Sequence, residues 1–189
     1  ESDVDMQYNI LHDNRLSTYI CFPDLTKEQE LECIRKWIND ADTDKYEKWV
    51  IELKDKNIPI GNISINSIDK KNNYCNIGYV IIYDYWGNGY ASEALKAISN
   101  YLLNDRNYYL VECSCNELNK QSSKVMLKAG FKKDGYTNLS PDYFYENDKL
   151  SIAINLERSC NKEVGIWIYT KEFPKQSAEL KWERGNPGY

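Results

Sequence analysis

The stretch from Tyr83 to Leu95, which reads YDYWGNGYASEAL, constrains the fold more than any other part of the chain. Residues 77–82 before it are mostly β-branched or aromatic, which is typical of a buried strand. After it, apolar residues recur at the three- and four-residue spacing of one helix face, at Ala91, Ala94, Leu95, Ile98 and Leu102. The sequence therefore predicts a strand, a tight turn at Gly87 and Gly89, and a helix.

Two glycines at the start of a helix suit the binding of a phosphate. The first N–H groups of a helix lack intrahelical partners and carry the positive end of the helix dipole, and glycine lets an anion approach the backbone. We therefore interpret Gly87 and Gly89 as a pyrophosphate cradle, with a turn that binds no ligand as the alternative. The missing Gly-Lys-Ser/Thr excludes a P-loop, and the third glycine of a dinucleotide fingerprint is also missing.

A second motif runs from Asn119 to Phe131, after another strand-like run at 109–115. Together the two stretches resemble the Gcn5-related N-acetyltransferase (GNAT) superfamily. Its Gln/Arg-x-x-Gly-x-Gly/Ala loop corresponds to residues 86–91, and its Asn-x-x-Ser, short helix and Gly-Phe correspond to Asn119, Ser122 and residues 130–131. A tryptophan at the first loop position, as at Trp86, is common in the RimJ/RimL-like branch, which acetylates protein N-termini. The resemblance covers about residues 48–156.

The pattern of the whole chain predicts an α+β fold, and the resemblance implies a mixed, mostly antiparallel central sheet flanked by helices and splayed at the acetyl-CoA site. Strands are expected at 48–54, 58–65, 74–83, 109–115, 131–136 and 149–156. Helices are expected at 3–12, after a capping box formed by Thr26 and Gln29, after Gly89, and at 120–129 with Gly130 as the cap. Residues 1–156 are assigned to the acetyltransferase domain. The opening strand usual in the family has no counterpart in the first residues.

Residues 157–189 are interpreted as a C-terminal extension packed on the same domain or on a neighbouring chain. Within it, Gly165–Thr170 is strand-like and apolar on both faces. This segment is predicted to add to a sheet, in its own chain or in a neighbour's. A homodimer that exchanges the strand is a variant of that prediction.

Acetyl-CoA is the co-substrate that the resemblance implies. Backbone groups of Ile81 and Ile82 would hold the pantetheine arm and the thioester. The pyrophosphate would be bound by backbone N–H groups of the loop residues Gly87, Asn88, Gly89, Tyr90 and Ala91. Asn119 is expected to hydrogen-bond the pantetheine arm, with a helix N-cap as the alternative or additional role. Trp86 is either a ligand contact or an aromatic residue of the core or rim.

Two residues are the catalytic candidates within the resemblance. Ser122 would donate a proton to the departing thiolate, because the position at which many relatives carry a tyrosine acid is Met126 here. Glu112 would be the general base for the amine, with a solvated or salt-bridged surface carboxylate as the alternative. Another position at which relatives often carry glutamate is Asn76, which leaves Asp84 as a further candidate base.

The net charge of −5 and the pI near 5.1 argue against nucleic acid as a partner and favour a cationic substrate, or simply an acidic soluble protein. No apolar run is long enough to cross a membrane and no leader is visible, so we expect no membrane partner and a cytoplasmic protein. Six scattered cysteines and one histidine predict reduced, mostly buried thiols and no metal site.

The leading hypothesis is an acetyl-CoA-dependent N-acetyltransferase in which a primary amine attacks the thioester directly. A protein N-terminus is the favoured acceptor. Small amines such as polyamines or aminoglycosides are the alternative within the enzyme class. A non-catalytic acyl-CoA-binding module is the alternative from another class, since Met126 and Asn76 stand where relatives often place catalytic groups.

Overall fold

A six-stranded mixed sheet organises the described residues, which in the computed structural model are 1–18, 20, 22–40, 47–137 and 164–170. The strands are β1 (Lys48–Leu53), β2 (Ile58–Asp69), β3 (Tyr74–Ile81), β4 (Leu110–Asn116), β5 (Lys132–Thr137) and β6 (Val164–Thr170). Their order is β1-β2-β3-β4-β6-β5, and every neighbouring pair is antiparallel except β3 and β4. The predicted α+β class is confirmed. The strand expected at 149–156 lies outside the described residues.

Four α-helices flank this sheet in the described ranges: α1 (Val4–His12), α2 (Lys27–Asp40), α3 (Tyr90–Asn104) and α4 (Lys120–Ala129). The capping box of α2 is confirmed, because the Thr26 N–H donates to Gln29 Oε1 at 2.9 Å and the Gln29 N–H donates to Thr26 Oγ1 at 3.3 Å. Gly130 caps α4 in the left-handed conformation, with a φ of 101°.

Alternation along the strands gives the sheet two different faces. The core face packs on α3 and α4 and buries the side chains of Ile63, Ile65, Cys75, Ile77, Val111 and Cys113 against Leu95, Leu102 and Met126. The opposite face, which we call the polar face, carries Ser64, Asn76 and Glu112. Towards the end of β3 this second face is covered by α1, whose Met6 and Ile10 pack with Val80 and Ile82.

The tail strand β6 lies inside the sheet of its own chain, between β4 and β5. Its Trp167 is 4% exposed. Tyr169 packs on Phe131 with a centroid distance of 5.2 Å and donates a 2.9 Å hydrogen bond to Asn100 Oδ1. The prediction that this segment joins a sheet is therefore confirmed for its own chain, and residues 164–170 pack on the same sheet as residues 48–137. Strand exchange in a homodimer remains a prediction.

The described cysteines are free thiols: Cys33, Cys75, Cys113 and Cys115. Cys113 and Cys115 lie on the core face, as the alternation predicts, and burial raises the pKa of Cys75 to about 12. Cys21 and Cys160 lie outside the described residues.

No helix within the described ranges is long and apolar enough to cross a membrane. The same residues contain no group of three or more His, Cys, Asp or Glu side chains placed to hold a metal ion.

Candidate active site

A gap opens between β3 and β4 in the middle of the sheet. The parallel pairing runs from Tyr74 with Leu110 to Ile77 with Cys113 and then stops, although both strands continue. The Ile82 N–H donates to Ile60 O at 2.8 Å, and backbone groups alternate in direction along a strand. The backbone N–H and C=O groups of Ile82 therefore point at β2, whereas those of Ile81 point into the gap. Of the two residues predicted to hold the pantetheine arm, Ile81 has the orientation for it and the Ile82 N–H is already paired.

The glycine loop connects the end of β3 to the start of α3. Gly87 and Gly89 have φ values of 81° and 88°, a conformation that favours glycine. Gly89 is the N-cap of α3, and the first helical hydrogen bond runs from the Glu93 N–H to Gly89 O at 3.0 Å. The N–H groups of Tyr90 and Ala91 precede that bond and belong to the open end of the helix.

Asn88 stabilises this loop through its side chain. Its Nδ2 donates to the carbonyl oxygens of Tyr85 at 3.1 Å and Trp86 at 3.2 Å. A Cβ atom added at Gly87 would meet no atom within 4 Å, so the space beside that backbone is open. The loop is thus fixed by Asn88 on one side and accessible to a ligand at Gly87 on the other.

Lys128 brings a positive charge to the same loop. A Cβ atom added at Gly89 would lie 3.2 Å from Lys128 Nζ. This ammonium group and the open end of α3 both favour an anion at this position. Sequence reasoning missed Lys128, because only the packing of α4 against α3 brings it to Gly89.

Trp86 packs beside the C-terminal end of β3. Its Nε1 donates to Ile81 O at 2.8 Å, and its ring packs 4.8 Å from that of Tyr83 and against the cluster of Met6, Ile10 and Leu16. This arrangement supports the interpretation of Trp86 as a rim aromatic. It occupies the Ile81 carbonyl and leaves the Ile81 N–H directed at the gap.

Asn119 and Ser122 lie at the start of α4. Asn119 Oδ1 accepts from the Ser122 N–H at 3.0 Å, so Asn119 is the N-cap that was predicted as one of its roles. Ser122 Oγ lies 2.8 Å from the hydroxyl oxygen of Tyr79, which belongs to β3. Burial raises the pKa of Tyr79 above its ordinary value, so the phenol stays protonated at neutral pH. The two hydroxyl groups form a neutral pair on the core side of the gap.

Tyr79 was also missed by sequence reasoning. The available signal was a tyrosine on the core face of a largely aliphatic strand, since a buried tyrosine hydroxyl needs a hydrogen-bond partner. The sequence could not identify Ser122 as that partner, because the two residues belong to β3 and α4 and meet only in the folded chain.

Glu112 lies on the polar face, one position before the last paired residue of β4, and hence at the apex of the gap. Asn76 Nδ2 donates to Glu112 Oε1 at 2.8 Å. Asn76 is 6% exposed, so Glu112 is bonded to a buried amide rather than only solvated. The further candidate Asp84 is exposed and forms an ion pair with Arg15 at 2.8 Å. Met126 is fully buried in the core.

A cavity of about 330 Å³ lies between α1, α2 and the β1–β2 side of the polar face. Glu1, Asp3 and Lys48 line it together with apolar side chains such as Trp37. The Lys48 ammonium lies 3.6 Å from the centre of the Trp37 ring, and burial lowers the pKa of Lys48 to about 8. Because carboxylates and an ammonium group line the cavity together, its charge does not select an acceptor.

Comparisons with known proteins agree with this geometry. Residues 1–132 match the family model described as "Acetyltransferase (GNAT) domain". The chain is 31% identical over 100 residues to an uncharacterized N-acetyltransferase, YoaA, from Bacillus subtilis, which covers 53% of this chain and 55% of that relative. The chain therefore spans little more than half the length of this curated relative.

Two solved structures show the same fold at low sequence identity. The ribosomal alpha-N-protein acetyltransferase RimL in complex with coenzyme A superposes with a TM-score of 0.71 at 18% identity, covering 89% of each chain. A chimeric spermidine N-acetyltransferase from Vibrio cholerae SpeG and hSSAT superposes with a TM-score of 0.66 at 17% identity, covering 90% of this chain and 92% of the other.

Proposed function

The chain belongs to the acetyltransferase (GNAT) family, and from this premise we propose that it transfers the acetyl group of acetyl-CoA to a primary amine by direct attack. The observation that carries the proposal is the divergence of β3 and β4 after Ile77 and Cys113. An extended ligand arm with amide groups can pair there with the backbone N–H of Ile81. The glycine loop at the end of β3 and Lys128 would then bind the pyrophosphate.

In the proposed reaction, acetyl-CoA supplies an activated thioester, and the chain's own residues move the protons. Glu112 accepts a proton from the amine, whose nitrogen forms a C–N bond to the acetyl carbon. A backbone N–H that β3 directs into the gap between Ile77 and Ile81, on the side nearer to Glu112, stabilises the negative charge that develops on the carbonyl oxygen. Ser122 donates its proton as the C–S bond breaks and regains one from solvent after the thiol leaves, while the Tyr79 hydroxyl 2.8 Å away holds Ser122 Oγ by a hydrogen bond. Asn119 orients Ser122 by capping α4.

A protein N-terminus is the acceptor that we favour, as in the RimJ/RimL-like branch. The Trp86-type loop and the fold shared with RimL support this choice. A polyamine is the second candidate, supported by the net charge of −5 and by the fold shared with the spermidine N-acetyltransferase. Aminoglycosides and a binding module without turnover are the remaining alternatives.

A panel of acceptors tests the proposal. The purified chain is mixed with acetyl-CoA and with peptides that carry a free N-terminus, their N-terminally blocked counterparts, spermidine, or an aminoglycoside. Thiol release and the mass of the product are measured. Acetylation of the free peptides but not of the blocked ones is expected. A much higher kcat/KM for spermidine would replace the peptide assignment. Binding of acetyl-CoA by calorimetry without turnover would favour the binding module, and no binding would defeat the proposal.

A further inference from the structure

A series of side-chain hydrogen bonds crosses three strands on the polar face and ends at Glu112. Ser64 Oγ donates to Asn66 Oδ1 at 3.2 Å, Asn66 Nδ2 donates to Asn76 Oδ1 at 3.1 Å, and Asn76 Nδ2 donates to Glu112 Oε1 at 2.8 Å. The shortest bond is the one to the carboxylate, as expected for a charged acceptor. Three polar side chains are thus aligned behind one carboxylate.

The backbone of β2 and β3 is built to place Asn66 in this series. The register between the two strands shifts between Ile65 and Ser67, so Asn66 is the extra residue of a β-bulge next to Asn76. A Cβ atom added at Gly78 would lie only 2.7 Å from Asn66 Nδ2. The bulge and the missing side chain at Gly78 together let the Asn66 amide reach Asn76.

The direction of the hydrogen bonds depends on the charge of Glu112. An ionised carboxylate only accepts hydrogen bonds, so the Asn76 amide must present its NH₂ group to Glu112 and its oxygen to Asn66. Reversal of the Asn76 amide would place its oxygen against the carboxylate. Among the described residues, Asn76 is the hydrogen-bond partner of Glu112 and contacts Oε1, which leaves Oε2 for an incoming amine.

We propose that Asn76, held by Asn66, is a positioning residue that orients the Glu112 carboxylate towards the gap. The inference rests on the proposed function, in which Glu112 is the general base. Asn76 stands where relatives often carry glutamate. In this chain its side-chain amide would instead orient the carboxylate of Glu112 on the neighbouring strand β4. Residues behind a catalytic group commonly fix its orientation and basicity in this way.

The test is the pH dependence of kcat/KM with one fixed amine, compared between wild type and Asn76→Asp. Aspartate has nearly the same shape but brings a second carboxylate to Glu112, and two adjacent carboxylates share one proton. The acid limb of the profile should move to higher pH by about one unit or more. Asn66→Ala, which only frees the Asn76 amide to rotate, should move the limb in the same direction by less. The ionisation of the amine itself is the same in every variant and cancels.

Asn62→Asp is the matched control. Asn62 is 5% exposed, lies on β2 and donates to Gln7 Oε1 at 2.8 Å, outside the series that ends at Glu112. It lies opposite Val80, about 13 Å along β3 from Asn76 at roughly 3.3 Å per residue. The same chemical change there should leave the acid limb in place.

An acid limb that moves no further in Asn66→Ala than in Asn62→Asp would overturn the inference while leaving the proposed function intact, even if Asn76→Asp moves the limb, because a second carboxylate beside Glu112 does so by proximity alone. Acetyl-CoA binding by calorimetry verifies that each variant is folded. If Asn76→Asp does not fold, the Asn66→Ala profile and a ¹³C NMR titration of the Glu112 carboxyl in that variant decide the same question. A wild type without turnover, or full turnover in Glu112→Gln, would instead defeat the proposed function.

Discussion

The two faces of the sheet are formed by the same strands but differ in the polarity of their side chains and in the contacts that these side chains make. On the core face, Cys75, Ile77 and Val111 are 0–1% exposed and contact other apolar side chains. On the polar face, at neighbouring positions of the same strands, Asn76 and Glu112 are joined by one hydrogen bond. Alternation along a strand therefore separates the apolar residues that stabilise the fold from Glu112, the proposed base. Substitutions on the two faces should have separable effects.

Glu112→Gln should have the largest effect on activity and a small effect on stability. Glutamine keeps the shape but cannot accept the proton of the amine, so kcat should fall by about 10²–10⁴-fold, the usual contribution of a general base. Steady-state thiol release measures the loss, and the melting temperature should stay within a few degrees of wild type. Glu52→Gln, at an exposed position of β1, is the control. Turnover retained in Glu112→Gln would show that the polar face does not carry the base.

Leu102→Ala should have the converse effect. Leu102 is 0% exposed in the core, and the lost contacts and the cavity should lower the free energy of unfolding by about 3–5 kcal/mol. Urea denaturation measures this change, while kcat per folded molecule should be close to wild type. Leu118→Ala, at a residue that is 61% exposed, should cost under about 0.5 kcal/mol. A large loss of kcat in a fully folded Leu102→Ala would break the separation of the two faces.

Gly89→Ala tests the end of the gap, where both faces meet the glycine loop. Alanine at a φ of 88° is strained by about 1–2 kcal/mol, and its Cβ would lie 3.2 Å from Lys128 Nζ. Calorimetry should show acetyl-CoA binding weakened by about tenfold, as expected from the loss of about 1.4 kcal/mol. Lys128→Met separates the two causes, since it removes the charge without straining the backbone. Unchanged affinity in both variants would place the pyrophosphate elsewhere.

Lys48→Met should have the smallest effect, and it depends on pH. Burial lowers the pKa of Lys48 to about 8 from its ordinary value of 10.5. The unfolded chain therefore binds a proton that the folded chain does not bind between these two pH values, and Lys48 destabilises the fold increasingly as the pH falls from 10.5 to 8. Lys48→Met should therefore raise the melting temperature relative to wild type at pH 8. This increase should become smaller by a few degrees as the pH rises to 10.5. Lys54→Met, in the exposed turn after β1, is the control for the loss of a lysine side chain.

Local patterns were enough to predict most elements of the fold. Apolar periodicity located α3, the pair Thr26 and Gln29 marked the start of α2, and Gly130 marked the end of α4. These signals could be read from the sequence because the interactions behind them join residues a few positions apart.

The contacts that define the candidate site join distant parts of the chain. Asn66 reaches Asn76 only because a β-bulge shifts the register of β2, and no spacing in the sequence indicates that shift. Lys128 and Gly89 meet through the packing of two helices. The place of β6 inside the sheet was equally inaccessible, since a strand-like pattern does not specify its neighbours.

The insertion of β6 between β4 and β5 has a consequence for the synthesis of the protein. Among the described strands β6 lies between β4 and β5, and both are made before it, so on the ribosome the edges of β4 and β5 that face β6 lack this partner until the chain has emerged as far as Thr170. Unpaired strand edges of this kind recruit other chains. A translational stall just before Val164 would expose two such edges at once, and the nascent chain would then depend on chaperones.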